Sequence, residues 1–172
     1  SERSRGLGDV YKRQALNNGV EKIVCIGTDL NTSKQSIDIA DKYDNVYASV
    51  GIHPHDSKDV NKDYIKNLET LALSSKKVVA IGEIGIDHYR NISPQDIQKK
   101  VMIEQMELAN SLSLPIIFHN RDADRDILEV LKHHPFQRAL AHCYSSDLSF
   151  AEKLLDLNAV SYTHLTLPTN VA

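Results

Sequence analysis

The 172-residue sequence has neither an excess of positive charge nor a long hydrophobic run. It carries 20 lysines and arginines against 23 aspartates and glutamates, a formal net charge of −3, which argues against a broad electrostatic footprint for nucleic acid. No apolar stretch approaches the ~18 residues of a transmembrane helix, so no membrane association is expected. A phosphate-bearing substrate would have to be held locally, by metal ions and a few arginines.

Cysteine and glycine are also scarce, and each shortage excludes a class of protein. The two cysteines, Cys25 and Cys143, have no paired spacing. This excludes a disulfide framework and favours a reducing compartment, so a cytoplasmic location is expected. The segment Ile26–Asp29, after the first apolar run, lacks the glycine-rich turn that binds dinucleotide phosphates. No second domain is visible, and no obligate protein partner is indicated.

The two ends of the chain are predicted to be non-native. Residues Asp9–Gln14 and Val160–Leu165 can be back-translated into DNA strings that are reverse complements and that match a transposon adaptor used in sequencing libraries. Residues 1–14 and 160–172 are therefore expected to be adaptor-derived and are left out of the fold prediction. Residues 15–159 are expected to be an internal fragment of a longer protein, and the chain itself is expected to be inactive and poorly folded.

Short apolar runs alternate with amphipathic helical patterns throughout residues 15–159. Strands are predicted at Lys22–Gly27, Asn45–Gly51, Lys77–Glu83, Leu114–His119 and Arg138–His142. Helices are predicted at Asn31–Lys42, Asp63–Ser74, Pro94–Leu112, Asp124–His133 and from Leu148 to about Asn158. This alternation predicts an α/β fold of right-handed βα units around a parallel sheet.

Such units can build either a doubly wound sheet or a (β/α)8 barrel. The missing glycine-rich turn favours the barrel, as do ligand-type residues at the ends of several successive strands. Because a complete barrel needs roughly 250 residues, residues 15–159 are predicted to form a partial TIM barrel with about five of the eight βα units.

Three of the predicted strands end on residues that bind metals. Glu83, His119 and His142 each close a short apolar run, and the C-terminal ends of parallel strands converge on one rim of the sheet. One carboxylate and two imidazoles form a ligand set for divalent zinc, manganese or iron. We therefore predict these residues to be the metal ligands and catalytic centre of a metallohydrolase, rather than an ion-paired glutamate and two packed histidines. Strand alternation then predicts that Cys143 is a packed thiol.

Two further histidines and an arginine fall near these strand ends. His53 and His55 are spaced i, i+2 and would share a face of an extended segment, as a His-x-His metal pair does. Pro54 between them favours a loop instead. Arg121 has the geometry to bind a phosphate bidentately, and an ion pair with a neighbouring aspartate is the alternative.

Four ordered motifs carry a resemblance to a known family. They are GIHPH at residues 51–55, GEIGID at 82–87, PIIFHNRDA at 115–123 and HCYS at 142–145. With these motifs the chain resembles the TatD family of metal-dependent deoxyribonucleases over essentially all of residues 15–159. The resemblance implies a TIM-barrel hydrolase with two divalent metal ions (Mg, Mn or Zn) that cleaves DNA with metal-activated water. It also implies that Glu83, His119 and His142 are metal ligands, whereas the family's first-strand histidine pair and late-strand aspartate fall outside this sequence.

The family pattern also bears on the remaining candidates. It places His53 and His55 at the mouth of the cleft, so they and Arg121 are predicted to contact the substrate. The sequence departs from the pattern in three places: Asn120 stands where Asp is usual, His88 where Tyr is usual and Ser146 where Gly is usual.

The predicted function is hydrolysis of phosphodiester bonds, with DNA as the substrate. Two alternatives stay open. Since fold and ligands alone do not choose the scissile bond, the same barrel could hydrolyse a small-molecule or aminoacyl ester or amide bond. The other alternative is a catalytically inactive barrel that serves as a binding module.

Overall fold

The structure, a computed structural model, describes residue 14 and residues 17–161. Its six strands are β1 (Ile23–Ile26), β2 (Val46–Val50), β3 (Val78–Asp87), β4 (Ile116–Arg121), β5 (Ala139–His142) and β6 (Ala159–Ser161). Its helices are α1 (Leu30–Ala40), α2 (Tyr64–Ser74), α3 (Gln95–Ser111), α4 (Asp124–His133) and α5 (Leu148–Asp156), with a 3-10 helix at Pro54–Asp59. Except for residues 14, 160 and 161, the segments predicted to be adaptor-derived lie outside the described residues.

The strands are all parallel and lie side by side in chain order, from β1 to β6. A doubly wound sheet would reverse its strand order at a switch point, whereas a barrel wall adds each new strand on the same side. The described residues therefore form a half-barrel, and the prediction of a partial TIM barrel is confirmed.

The predicted strand ends differ from the observed ones mainly at β3 and β6. The third strand is predicted to end at Glu83, but β3 continues to Asp87, because pairing with β4 resumes after a register shift between Ile81 and Ile84. The short strand β6 was not predicted. Its residues pair with β5 at three positions, so the sheet of the described residues has one strand more than the sequence suggested.

Helix α3 packs an apolar stripe against the sheet. Five of the six stripe residues are buried, and the sixth, Ile97, packs against the core: Ile97, Val101, Met102, Gln105, Leu108 and Ala109. Gln105 is the polar member. Its side chain accepts the N–H of Ile52 at 2.7 Å and donates to the carbonyl of Ile52 at 3.1 Å, which satisfies the buried amide.

Within the part of the chain that the structure describes, no helix is long and apolar enough to cross a membrane.

Candidate metal centre

Three side chains of types that can bind a metal meet at the C-terminal rim of the sheet. Glu83 lies in β3, His119 in β4, and His53 follows the end of β2. Each offers one ligand atom, and these atoms all lie within 4.8 Å of one another. Glu83 is 8% exposed, and the two histidines are half-buried. Two imidazoles and a carboxylate at this separation suit a divalent transition metal.

The end of β1 holds two of these residues in place. The backbone N–H of Glu83 donates to the carbonyl of Gly27 at 2.8 Å, and that of His53 donates to the carbonyl of Thr28 at 2.8 Å. The Nδ1 atom of His53 accepts the N–H of His55 at 3.2 Å. This hydrogen bond occupies one ring nitrogen of His53 and leaves Nε2 as the nitrogen that can bind a metal.

Asp87 connects the histidines of the rim. Its Oδ2 atom lies 2.8 Å from Nε2 of His55 and 3.0 Å from Nε2 of His119. Its Oδ1 atom accepts the N–H of Arg90 at 2.7 Å, and its side chain is 1% exposed. With Nε2 of His119 bonded to Asp87, Nδ1 faces Glu83, whose Oε1 atom is 3.5 Å away. A carboxylate bonded to the outer nitrogen of a metal-ligating histidine is the usual supporting arrangement of such sites.

A glycine allows β3 to approach β4 at this point. Gly85 pairs with His119 in the strand register and has a φ of +134°, a conformation that L side chains rarely adopt. A Cβ atom at this position would lie 2.1 Å from the carbonyl oxygen of His119. The backbone of His119 can therefore lie this close to β3 only because Gly85 has no side chain.

Charge interactions within the site shift the pKa values of its members. For Glu83, burial raises the pKa, but the hydrogen bond with His119 and the nearby His142 and His53 outweigh it and lower the pKa. For His119, burial lowers the pKa, and the hydrogen bonds with Glu83 and Asp87 more than compensate and raise it. The two residues thus favour opposite charges, a carboxylate beside an imidazolium, in the absence of a metal.

The pKa values of His53 and Asp87, the other two members of the site, are also shifted. Burial lowers the pKa of His53 to about 4, so its ring is neutral at pH 7 and free to act as a ligand. Burial raises the pKa of Asp87, but the N–H of Arg90 and the rings of His55 and His119 all favour the carboxylate and lower its pKa to about 2.

The structure brings together two of the three predicted ligands and adds one that was predicted to bind substrate. Glu83 and His119 belong to the three-donor group, and the third member is His53 rather than His142. His142 pairs with His119 in the register of β4 and β5 and influences the pKa of Glu83. It therefore lies next to the group without being one of its closest members.

The predicted substrate contacts lie around the same point. The rings of His53 and His55 are 4.3 Å apart, centre to centre. The guanidinium carbon of Arg121 lies 3.8 Å from the centre of the Tyr89 ring. Within the described residues, no carboxylate lies within 4 Å of the Arg121 guanidinium, so the alternative of an ion pair with a neighbouring aspartate is not realised.

The prediction for Cys143 is wrong. Its side chain is exposed rather than packed. Strand β5 ends at His142, and Cys143 adopts a φ of +50°, so the alternation of side chains that supported the prediction stops one residue earlier.

Two residues that support the rim, Asp87 and Gln98, were not among the predicted site residues. Asp87 ends the buried run of β3, and that position was the available signal. Gln98 of α3 was missed. It is fully buried, its Oε1 atom accepts the N–H of Asp87 at 2.8 Å, and its amide donates to the carbonyl of Ser93 at 2.6 Å. The sequence alone does not reveal that a buried glutamine in a helix bonds the backbone of Asp87 and Ser93.

Comparison with known proteins assigns the chain to a family. A model of the family described as TatD related DNase matches residues 4–170. The uncharacterised metal-dependent hydrolase YabD of Bacillus subtilis is 37% identical over 154 residues, which cover 88% of this chain and 60% of YabD. The 3′-5′ ssDNA/RNA exonuclease TatD of Klebsiella pneumoniae is 34% identical over 159 residues, which cover 91% of this chain and 60% of that protein.

A solved structure agrees with these matches. YJJV, a TatD homologue from Escherichia coli K12, has a TM-score of 0.85 to this structure at 28% identity, over 91% of this chain and 61% of YJJV. The chain thus spans about 60% of the length of the relatives that it matches. The sequence motifs, the half-barrel and the match over residues 4–170 agree, and the protein belongs to the family of TatD-related DNases.

Proposed function

We propose that the protein is a metal-dependent hydrolase that cleaves phosphodiester bonds and that its substrate is DNA. The observation that carries this proposal is the group formed by His53, Glu83 and His119, whose ligand atoms lie within 4.8 Å of one another. The protein's membership of the family of TatD-related DNases favours DNA over small esters as the substrate. The name of the Klebsiella relative, a single-stranded DNA and RNA exonuclease, supports a nucleic-acid substrate.

The residues fit the metal that the family implies. Glu83 and His119 would hold the first ion together with His53, and His142 beside Glu83 would contribute to a second. Divalent ions at such a site supply an activated water and neutralise charge on the phosphate. One carboxylate among imidazoles suits zinc better than an all-oxygen site does, and the carboxylate is also a ligand type that manganese accepts.

The surrounding residues orient the ligands. Asp87 accepts a hydrogen bond from Nε2 of His119, which fixes the ring and presents Nδ1 towards Glu83. The same carboxylate holds Nε2 of His55. Arg121, two residues beyond His119 on the same strand, has a planar set of donors suited to a phosphate. In this proposal His55 and Arg121 contact the substrate.

The cellular location is part of the proposal as well. Cys25 and Cys143 are both free thiols. Free thiols are typical of a reducing compartment, so we infer a cytoplasmic protein.

The experiment that tests the function compares substrates and metals in the complete gene product. Single-stranded DNA and a panel of small-molecule esters are incubated with and without EDTA. Cleavage of DNA that manganese restores after EDTA treatment is the expected result. Turnover of esters without cleavage of DNA would favour the small-molecule alternative, and metal binding without any turnover would favour the inactive binding module.

A further inference from the structure

Tyr89 and Arg121 form a stacked pair beside the metal donors. Arg121 ends β4 and is paired in register with Asp87, the last residue of β3, and Tyr89 follows two residues later. The guanidinium carbon lies 3.8 Å from the centre of the tyrosine ring, which is a close cation–π contact. The N–H of His88 donates to the carbonyl of Arg121 at 2.9 Å, so the backbones beneath both side chains are joined.

Tyr89 is largely exposed to solvent although it follows β3 by only two residues. The residue as a whole is 62% exposed even though Arg121 covers part of its ring. Within the described residues, its hydroxyl makes no hydrogen bond and its ring contacts no other aromatic side chain. A flat aromatic surface therefore remains free beside the metal donors, and a planar partner can stack on it.

Among the residues that the structure describes, the Arg121 guanidinium contacts the Tyr89 ring, and its N–H donors have no hydrogen-bond partner. Stacking on an aromatic ring uses the plane of the guanidinium, whereas its N–H donors point outward from the edge. Within the part of the chain that the structure describes, no carboxylate lies within 4 Å of the guanidinium, and Oδ1 of Asp124 accepts instead from Asn120 at 2.6 Å and from Ser146 at 2.7 Å. The donors of Arg121 are thus available to a phosphate group.

The distance between the pair and the metal donors suits a nucleotide. His119 and Arg121 are two residues apart on β4 and share one face of the strand, so they are separated by about 7 Å along it. A nucleic-acid strand with one phosphate at His119 would place its next phosphate or base beside Tyr89 and Arg121.

We propose that Tyr89 is a stacking platform for an unpaired base of single-stranded nucleic acid, and that Arg121 binds the phosphate of the same nucleotide. This inference rests on the proposed nuclease function and names the part of the site that selects the substrate. Bases in a duplex are covered by their neighbours, whereas a single strand presents its faces to an aromatic ring. Every base has such a face, so the platform tolerates any sequence. The net charge of −3 leaves little long-range attraction, which gives local stacking a large share of the binding.

The test measures the affinity of the complete gene product for a labelled single-stranded oligonucleotide, by fluorescence anisotropy with EDTA present to prevent cleavage. Tyr89→Leu should weaken binding about tenfold, because it removes one base stack. Tyr89→Phe should retain the affinity, since it keeps the ring. Tyr47→Leu is the matched control. Tyr47 also contacts a cation, with Lys77 Nζ 4.9 Å from its ring centre, but it lies towards the opposite ends of the strands.

A second oligonucleotide of equal length that consists only of abasic sites separates stacking from charge. The wild-type protein should bind it about tenfold more weakly than the normal strand, and Tyr89→Leu should bind both with equal affinity. A Tyr89→Leu variant that behaves like Tyr47→Leu, in a protein that still cleaves DNA with metal, would overturn the platform alone. A gene product that neither binds nor cleaves any nucleic acid would overturn the platform together with the proposed function.

Discussion

Asp87 and His119 are joined by a hydrogen bond of 3.0 Å between Oδ2 and Nε2. The bond turns the other nitrogen of His119 towards Glu83, whose carboxylate is 3.5 Å away. Because Asp87 is almost completely buried and is held by the N–H of Arg90, it is a rigid support for the histidine. The chemistry of the rim therefore depends on a residue outside the group of candidate ligands.

This relationship predicts that Asp87→Asn lowers metal affinity without unfolding the protein. An asparagine keeps the shape but loses the charge, and its single amide oxygen cannot replace both Oδ2, which bonds the two histidines, and Oδ1, which accepts from Arg90. We expect a loss of about 10- to 100-fold in affinity for manganese, measured by titration calorimetry. Asp126→Asn is the matched control, since Asp126 bonds His88 at 2.7 Å on the same rim. Equal losses in the two variants would mean that Asp87 has no special role.

Gly85→Ala should destabilise the fold and disturb the metal site together. The new methyl group would meet the carbonyl of His119 in a backbone conformation that alanine rarely adopts. Gly19→Ala also places alanine at a positive φ, but nothing lies within 4 Å of the added atom, so it should cost only about 1–2 kcal/mol of backbone strain. Urea unfolding should give a larger loss for Gly85→Ala, by about 2 kcal/mol or more. Similar losses for both variants would show that β3 and β4 can separate freely at His119.

Stability at alkaline pH should depend on Tyr64. Burial and the hydrogen bond from its hydroxyl to Glu104 raise the pKa of Tyr64 well above its ordinary value. A raised pKa in the folded state means that the stabilisation is present below the unfolded pKa of about 10 and is lost as the pH rises above it. In urea unfolding from pH 8 to 11, the advantage of the wild type over Tyr64→Phe should shrink above pH 10. An advantage that is constant over this range would contradict the assignment.

Asn120→Asp, which restores the residue usual in the family, should destabilise this protein. The Nδ2 atom of Asn120 donates to Asp124 at 2.6 Å and to Ser146 at 3.2 Å. An aspartate would lose both donors and place a second carboxylate against Asp124. We expect a cost on the order of 1–3 kcal/mol at pH 7 that decreases below about pH 4, where carboxylates are protonated. Asn67→Asp, on an exposed face of α2, should have little effect, and an equally small effect at Asn120 would contradict this account.

The alternation of strands and helices was readable from the sequence, because apolar runs and amphipathic periods are local properties. Helix α4 has the predicted bounds, Asp124–His133. The extension of β3 was not readable, since it depends on a register shift against β4 that lets the strand continue through Gly82 and Gly85. Strand β6 contains only three residues and carries too little pattern to be recognised.

The candidate site was only partly readable. Glu83 and His119 lie in the C-terminal halves of β3 and β4, and the convergence of parallel strands brings them together without further information. The position of His53 depends on the carbonyl of Thr28, which holds its backbone, and on the 3-10 helix that begins at Pro54. Contacts of this kind link distant parts of the chain, so the sequence indicated a loop but not the direction of its histidine. The assignment of His142 as a ligand stays a prediction.

The most direct test of the metal centre is to titrate manganese into the wild-type protein and into Glu83→Gln and to measure both affinities by calorimetry. Glutamine has the shape of glutamate but lacks the charge, and Glu83 is the one carboxylate of the three-donor group. The metal-centre assignment predicts that the wild type binds manganese and that Glu83→Gln binds it at least about tenfold more weakly, with an unchanged thermal unfolding midpoint. Equal affinity of the two proteins for manganese would contradict it.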